Sequence, residues 1–93
     1  MRTIEYTNTF KKDLRRVLVT PRHKNIAPDL DETLKLLAMD RTLPARLHDH
    51  PLKGEWQEFR ECHIKPDLLL IYRKPGAGRL QAVRLGSHSE LFR

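Results

Sequence analysis

Leu68-Leu69-Leu70-Ile71-Tyr72 is the stretch that decides the fold of this chain. An unbroken apolar run of this length is typical of a central β-strand that is covered on both faces. A turn with one proline and two glycines follows, and Leu80 to Leu85 predicts the last strand, in which Val83 and Leu85 face one way and Arg84 the other. The C-terminal part of the chain is therefore predicted to be a sheet.

Two further strands are predicted upstream of this run. Residues 3–7 alternate apolar with polar side chains and are rich in β-branched and aromatic types, as in a short, half-buried strand. Residues 55–64 predict another strand, although Trp56, Cys62 and Ile64 fall on one side of it and Phe59 on the other. A bulge within this strand reconciles the two sides.

Two amphipathic helices are predicted between the first strand and the others. The first has an apolar stripe at helical spacing, formed by Phe10, Leu14, Val17 and Leu18. Its opposite, solvent-facing side is basic, with Lys11, Lys12, Arg15 and Arg16. The second helix runs from about Pro28 to Met39, and its apolar stripe consists of Ile26, Leu30, Leu34 and Leu37.

The resulting order of elements is β-α-α-β-β-β. It predicts an α+β fold in which the two N-terminal helices pack on one face of a small, mostly antiparallel, four-stranded sheet. A chain of 93 residues can build one modest core but not two, so we expect residues 1–93 to form a single domain.

The charge of the chain favours a polyanionic partner. The formal net charge is +6 and the sequence pI is about 9.9, which suits RNA, DNA or an acidic protein. The one cysteine, Cys62, cannot form an internal disulfide, and no apolar run is long enough to span a bilayer. We therefore expect a cytoplasmic protein with no membrane partner.

The segment of residues 40–53 has neither helical nor strand periodicity. Protonatable side chains are concentrated from the end of this segment onward. His50 lies near the end of this segment. His63 and Asp67 flank a predicted hairpin turn, and their side chains are expected to come close across its mouth. Arg84 lies on the last strand, and His88 follows it.

These residue types suit RNA cleavage without a metal. Such a reaction needs a base for the 2′-hydroxyl, a cation for the phosphorane and an acid for the leaving 5′-oxygen. Imidazoles also bind zinc, but the ligand spacing of a zinc finger and a second thiolate are missing, so we predict no metal and no other cofactor. Taken singly, each histidine is more often structural, and Trp56 and Phe92 are more often packing residues than base-stacking platforms.

The sequence also carries a specific combination of motifs. It comprises Asp49-His50-Pro51-Leu52, Gly54, Trp56, Phe59-Arg60-Glu61, His63, Pro66-Asp67, Leu70-Ile71-Tyr72 and Arg84-Leu85-Gly86-Ser87-His88-Ser89-Glu90-Leu91-Phe92. At these spacings the motifs closely resemble the YafQ branch of the RelE/ParE toxin superfamily. The resemblance covers nearly the whole chain, because the opening Ile4-Glu5-Tyr6 and the Arg22-His23-Lys24 link are also similar.

The resemblance implies a RelE-like fold and the toxin of a type II toxin–antitoxin system. Such a toxin is a ribosome-dependent endoribonuclease, an mRNA interferase, whose partners are the ribosome, mRNA and a cognate antitoxin encoded by the adjacent gene. The positions that match the family's catalytic residues are His50, His63, Asp67, Arg84 and His88. The positions assigned to substrate binding are Phe92, Glu61, Lys53 and Trp56, of which Glu61 replaces an aspartate of the family and Lys53 adds a positive charge.

Two alternatives stay open at this stage. One is a non-catalytic, basic inhibitor that occupies RNA or the ribosome, and the other is a gyrase-targeting toxin of the same superfamily. The clustered histidines favour catalysis over occupancy, because an imidazole at neutral pH binds phosphate less strongly than a lysine or an arginine does.

Overall fold

The fold of the chain was analysed in a computed structural model, which describes residues 1–92. Its five-stranded sheet has the order β1-β5-β4-β3-β2. The strands are β1 (Thr3–Tyr6), β2 (His50–Pro51), β3 (Arg60–Lys65), β4 (Leu68–Arg73) and β5 (Arg79–Gly86). The pair β1–β5 is parallel and the other pairs are antiparallel. The α+β class is confirmed, whereas the prediction of four strands is wrong because His50 and Pro51 add a fifth.

Two long helices cover one face of this sheet. Helix α1 (Asn8–Leu18) begins where the Thr7 hydroxyl accepts a hydrogen bond from the backbone N–H of Phe10 at 3.0 Å. Helix α2 (Ala27–Ala38) has a proline in its first turn, as predicted. Both predicted apolar stripes join the main core, which also contains Cys62, Leu70, Tyr72, Leu80 and Leu85 of the sheet.

The predicted central strand is confirmed. Every residue from Leu68 to Tyr72 is at most 2% exposed. Leu68, Leu70 and Tyr72 pack toward the two helices, whereas Leu69 and Ile71 pack into a smaller core on the opposite face. Burial on both faces explains why this strand shows no alternation of apolar and polar residues.

The strand predicted over residues 55–64 is wrong in its first half. Residues Gly54–Trp56 form a 3₁₀ turn, and the strand begins at Arg60. The bulge in this strand lies at its end instead, where the register of β3 shifts between His63 and Lys65. Trp56 and Phe59 therefore belong to the connection and not to the sheet.

A second bulge overturns the predicted facing of the last strand. The partners of Ile71 and Tyr72 are Arg84 and Ala82, so Val83 has no partner. The extra residue changes the alternation of sides along β5. As a result Val83 contacts the smaller core and Leu85 lies in the main one, on opposite faces of the sheet.

A third, short helix was not predicted. Helix α3 (His88–Leu91) begins with a capping box, in which the Ser87 hydroxyl accepts from Glu90 N–H and the Glu90 carboxylate accepts from Ser87 N–H. Leu91 anchors this helix on the smaller core.

The structure describes the chain up to residue 92. The prediction of a single domain over residues 1–93 stays a prediction, and Arg93 lies outside the described part. No helix within residues 1–92 combines the length and the apolar character that a membrane crossing requires.

Candidate active site

His50 is positioned by the segment that precedes it. His48 has a left-handed backbone conformation with φ 47°, and its carbonyl oxygen lies 2.6 Å from Nδ1 of His50. Asp49 anchors the same segment, because it accepts hydrogen bonds from the Tyr72 hydroxyl and, at 3.2 Å, from Nε of Arg60. Since Nδ1 donates to a carbonyl, Nε2 is the nitrogen of His50 that faces the site.

Glu61 lies between two histidines. Its Oε2 atom is 3.4 Å from Nε2 of His50, and its Oε1 atom is 3.8 Å from Nε2 of His63. The pairing of His50 with Glu61 across β2 and β3 fixes this arrangement. Glu61 is only 8% exposed. A buried carboxylate between two imidazoles is placed to orient both rings.

Asp67 is held by the link between the two long helices. Its Oδ2 atom accepts a 2.6 Å hydrogen bond from Nη1 of Arg22 and lies 3.4 Å from Nε2 of His23. The hydrogen bond from Arg22 is the main cause that holds the pKa of Asp67 below its usual value. Asp67 therefore pairs with Arg22, and Glu61 is the carboxylate beside His63, while the predicted approach of Asp67 to His63 stays a prediction.

His23 lies in the same link and is buried. It is only 8% exposed, and its Nδ1 atom has no hydrogen-bond partner within residues 1–92. The short 3₁₀ turn Pro21–His23 carries the ring inward next to Asp67.

One open cleft of about 660 Å³ brings most of the predicted residues together. Its lining includes the five protonatable residues His50, Glu61, His63, Asp67 and His88. Leu69 lies among them, and Ser87 and Ser89 flank His88. Three imidazoles and two carboxylates around one cleft provide both proton donors and proton acceptors for a bound substrate.

Aromatic side chains stand beside His88. Its ring lies 5.0 Å from the ring of Phe92, and Phe92 lies 6.3 Å from Trp56. Trp56 is 36% exposed, so part of its indole is accessible. Lys53 is exposed and immediately precedes Gly54, whose φ of 67° begins the turn that carries Trp56. Aromatic faces with a nearby lysine are suited to a stacked base and a phosphate.

Arg84 lies apart from the lining of this cleft. The register places Arg84 opposite Ile71 and Ile71 opposite Glu61, so the three side chains leave the sheet on the same face. Two strand spacings, about 10 Å, separate Arg84 from Glu61. The Arg84 guanidinium is bound by the Asp13 carboxylate, with Nε at 2.8 Å and Nη2 at 3.3 Å.

Asp13 and the role of Arg22 were missed by sequence analysis. A signal for Asp13 exists, because it follows Phe10 by three residues and precedes Val17 by four, which places it on the buried stripe of α1. An acidic residue on such a stripe indicates a buried partner. No comparable signal joins Arg22 to Asp67, since they meet only through the tertiary fold.

Other reactive groups do not add to the site. Burial raises the pKa of Cys62 to about 12, so this thiol is not a nucleophile near neutral pH. Within residues 1–92, no group of three or more His, Cys, Asp or Glu side chains is arranged to hold a metal ion.

Three comparisons place this architecture among known proteins. A family model described as "Bacterial toxin of type II toxin-antitoxin system, YafQ" matches residues 2–93. The mRNA interferase toxin YafQ of Escherichia coli strain K12 is 38% identical over 93 residues, which cover 98% of this chain and 96% of that protein.

Solved structures agree with this match. A metal-bound toxin from Helicobacter pylori is 45% identical with a TM-score of 0.86, and the match covers 99% of this chain and 100% of that one. A chain of the Escherichia coli DinJ-YafQ complex is 37% identical with a TM-score of 0.83, and the match covers both chains completely. Both matches therefore cover nearly the whole chain.

Proposed function

Because the chain belongs to the YafQ family of bacterial type II toxins, we propose that it is an mRNA interferase that cuts translated mRNA on the ribosome. The observation that supports cleavage most directly is the cleft itself, around which His50, His63 and His88 lie with Glu61 and Asp67. An inhibitor that acts by occupancy has no need for three imidazoles at one place, since lysine and arginine bind phosphate better at neutral pH.

The proposed reaction is an attack of the 2′-hydroxyl on the adjacent phosphate. A base removes the 2′-hydroxyl proton while the 2′-oxygen forms a bond to phosphorus. The bond from phosphorus to the 5′-oxygen then breaks, and an acid transfers a proton to that oxygen. The products are a 2′,3′-cyclic phosphate and a 5′-hydroxyl, so no water, metal or redox partner is needed.

We assign base or orienting work to His50 and His63, which Glu61 holds in place. His88, exposed on the opposite side of the cleft, is the proposed acid. Asp67 is a carboxylate of lowered pKa and therefore acts as an acceptor and not as an acid.

Arg84 is the proposed stabiliser of the phosphorane. Its pairing with Asp13 uses Nε and one hydrogen of Nη2, and Nη1 makes no hydrogen bond within residues 1–92. That edge of the guanidinium carries further donors for phosphate oxygens. Phe92 and Trp56 are proposed to stack on bases, and Lys53 to contact the RNA backbone.

The proposed partner in the resting state is an antitoxin. The Escherichia coli relative is found in a DinJ-YafQ toxin-antitoxin complex. Because the net charge of this chain is +6, the surface of the antitoxin that binds it is proposed to be acidic. Co-purification with the product of the adjacent gene, and loss of growth arrest when both are expressed, tests this part of the proposal.

The decisive experiment adds the purified protein to a reconstituted translation reaction and maps the 5′ ends of the mRNA. Cuts at fixed codon positions that end in a 5′-hydroxyl support the proposal. Inhibition of translation without cuts indicates an occupancy inhibitor. DNA breaks in the presence of gyrase, without mRNA cuts, indicate a gyrase-targeting toxin.

A further inference from the structure

Asp13 is a buried carboxylate to which the reaction described above gives no role. It is only 3% exposed, and it accepts four hydrogen bonds. Their donors are Nη1 of Arg16 at 3.0 Å, Nε of Arg84 at 2.8 Å, Nη2 of Arg84 at 3.3 Å and the backbone N–H of Leu85 at 3.0 Å. Although burial alone raises the pKa of Asp13, the hydrogen bonds from Arg84, Leu85 and Arg16 bring it below its usual value.

Asp13 lies where the sheet loses a strand. The last pair of the parallel β1–β5 ladder is Tyr6 with Ala82, so β5 continues without a strand neighbour on that edge. Side chains of helix α1 bond the backbone of β5 at this edge. The Asp13 carboxylate accepts from the N–H of Leu85, and Nη2 of Arg16 donates to the Leu85 carbonyl at 3.1 Å. The backbone of β5 and the side chain of Arg84 are thus fixed by one carboxylate.

The same network reaches the helix that carries His88. Arg16 also contacts the Glu90 carboxylate, with Nε 3.2 Å from Oε2, and Glu90 closes the capping box of α3. The junction is tightly packed around Gly86, where an added Cβ would lie 3.0 Å from Nη2 of Arg16 and 3.1 Å from Oε1 of Glu90. A larger residue at position 86 would require the Arg16 and Glu90 side chains to shift.

We propose that Asp13 is a positioning residue, which fixes the Arg84 guanidinium at the edge of β5 and, through Arg16 and Glu90, fixes the helix that presents His88. The inference rests on the proposed roles of Arg84 and His88. A two-pronged contact to Asp13 fixes the plane of the guanidinium, whereas an arginine without it samples many rotamers. Preorganisation of a cation is the property on which stabilisation of a phosphorane depends.

The variant Asp13→Asn tests this role with little change of shape. The amide keeps one acceptor oxygen, but its NH₂ group cannot accept from a guanidinium, so the two-pronged contact to Arg84 is lost. We expect kcat to fall about 10- to 100-fold, the usual effect of a misplaced catalytic group. KM should not rise, because Arg84 keeps its charge and is no longer neutralised by Asp13. If Asp13 only stabilises the fold, Asp13→Asn should lower the Tm and leave kcat unchanged at temperatures below the unfolding transition.

A double-mutant cycle shows whether Asp13 acts through Arg84. The variants Asp13→Asn, Arg84→Gln and their combination are compared in the translation reaction. The double variant should be slower than Arg84→Gln by less than the full loss seen in Asp13→Asn, because only the effect that passes through Arg16 and Glu90 remains. The matched control is Glu5→Gln, which removes another carboxylate that binds an arginine of β5 by two hydrogen bonds of 2.8 Å, outside the cleft. Glu5→Gln should keep the wild-type kcat.

An NMR measurement reports the contact itself without any activity. In the wild-type protein the Nε–H signal of Arg84 should be sharp and protected from exchange, and it should broaden or vanish in Asp13→Asn. If Asp13→Asn does not fold, Arg16→Gln tests the contact from Asp13 through Arg16 and Glu90 to α3. Arg16→Gln alone should lower kcat. Added to His88→Ala, it should cause no further loss of kcat.

The outcomes separate this inference from the proposed function. Wild-type protein that cuts no mRNA, or Arg84→Gln with wild-type kcat, contradicts the proposed function. If Arg84→Gln lowers kcat but Asp13→Asn leaves kcat normal, the positioning role of Asp13 is overturned and the proposed function stands. Losses of kcat that multiply in the double variant also overturn it, because they show that Asp13 acts independently of Arg84.

Discussion

The Asp67 carboxylate accepts a 2.6 Å hydrogen bond from Arg22, a residue of the short turn between the two long helices. This contact orients a cleft carboxylate from outside the cleft, since Arg22 does not itself line it. It is also the main cause of the lowered pKa of Asp67. The helix link therefore influences the site through the ionisation and the direction of one side chain.

The variant Arg22→Ala should raise the pKa of Asp67 toward its usual value. Asp67 is proposed to act as a carboxylate, so its protonation at a higher pH should move the acid limb of the pH–kcat profile upward. The carboxyl ¹³C shift of Asp67, followed by NMR over the acid range, measures the change directly. Lys24→Ala is the matched control, because Lys24 is an exposed cation of the same link. Equal Asp67 titrations in both variants would contradict the effect.

The variant Glu61→Gln should slow cleavage more than it weakens RNA binding. The amide keeps the shape of the side chain, but it no longer attracts two imidazoles at once, so His50 and His63 lose their common orienting group. We expect kcat to fall at least about 10-fold, as for other groups that support acid–base catalysis. The control Glu55→Gln changes an exposed glutamate outside the cleft lining. Similar kcat values for the two variants would refute the orienting role.

The central strand and both helical stripes could be predicted from local apolar residues, which form an unbroken run in the strand and recur at helical spacing in the two helices. Asp13 was missed because a charged residue interrupts a stripe that is otherwise apolar, although its spacing from Phe10 and Val17 places it on that stripe. Helix α3 has a local signal in the Ser87 and Glu90 capping box, but a four-residue helix is too short for a period to show.

The remaining differences are tertiary and have no local signal. Strand β2 has two residues and exists only because His50 and Pro51 pair with β3. The bulge at Val83 depends on the register of β4 and β5. The pairing of Asp67 with Arg22 depends on where the helix link ends. Spacing along the chain thus predicts which residues share the cleft better than it predicts which of them touch.

The variant Tyr72→Phe should destabilise the protein by about 1–2 kcal/mol, the order of magnitude expected for loss of a hydrogen bond to a partly exposed carboxylate. The Tyr72 hydroxyl donates to Asp49 and accepts from Nε of Arg60 at 3.3 Å. Urea unfolding measures the free energy, with Tyr6→Phe as the control because Tyr6 is exposed. Since Asp49 anchors the segment before His50, kcat should also fall. A Tyr72→Phe variant as stable as Tyr6→Phe would show that the hydroxyl network contributes nothing.

Removal of transition metals should leave cleavage unchanged. The proposed reaction uses side chains alone for proton transfer and charge stabilisation. The ribosome itself needs magnesium, so the toxin is treated with a chelator, separated from it, and then assayed in magnesium-containing translation buffer. Equal rates for treated and untreated protein are expected. A loss of activity that added zinc restores would show that a metal takes part.

The basic face of α1 should contribute to binding of RNA or the ribosome. Lys11, Lys12 and Arg15 are exposed and form no ion pair within residues 1–92, whereas Arg16 belongs to the Asp13 network and is left unchanged. If these three residues contact phosphates, their replacement by glutamine should reduce the slope of log affinity against log salt by about 2 to 3. The fall in affinity should be largest at low salt.

The matched control replaces three exposed basic residues on other parts of the surface, Lys24, Lys35 and Arg41. Both triple variants lose the same net charge, so a general electrostatic attraction lowers the slope equally in the two. A larger decrease for the α1 variant indicates phosphate contacts at that helix, because counterions are released only where phosphates are neutralised. Equal slopes in wild type and the α1 variant would show that this face is solvated and takes no part in binding.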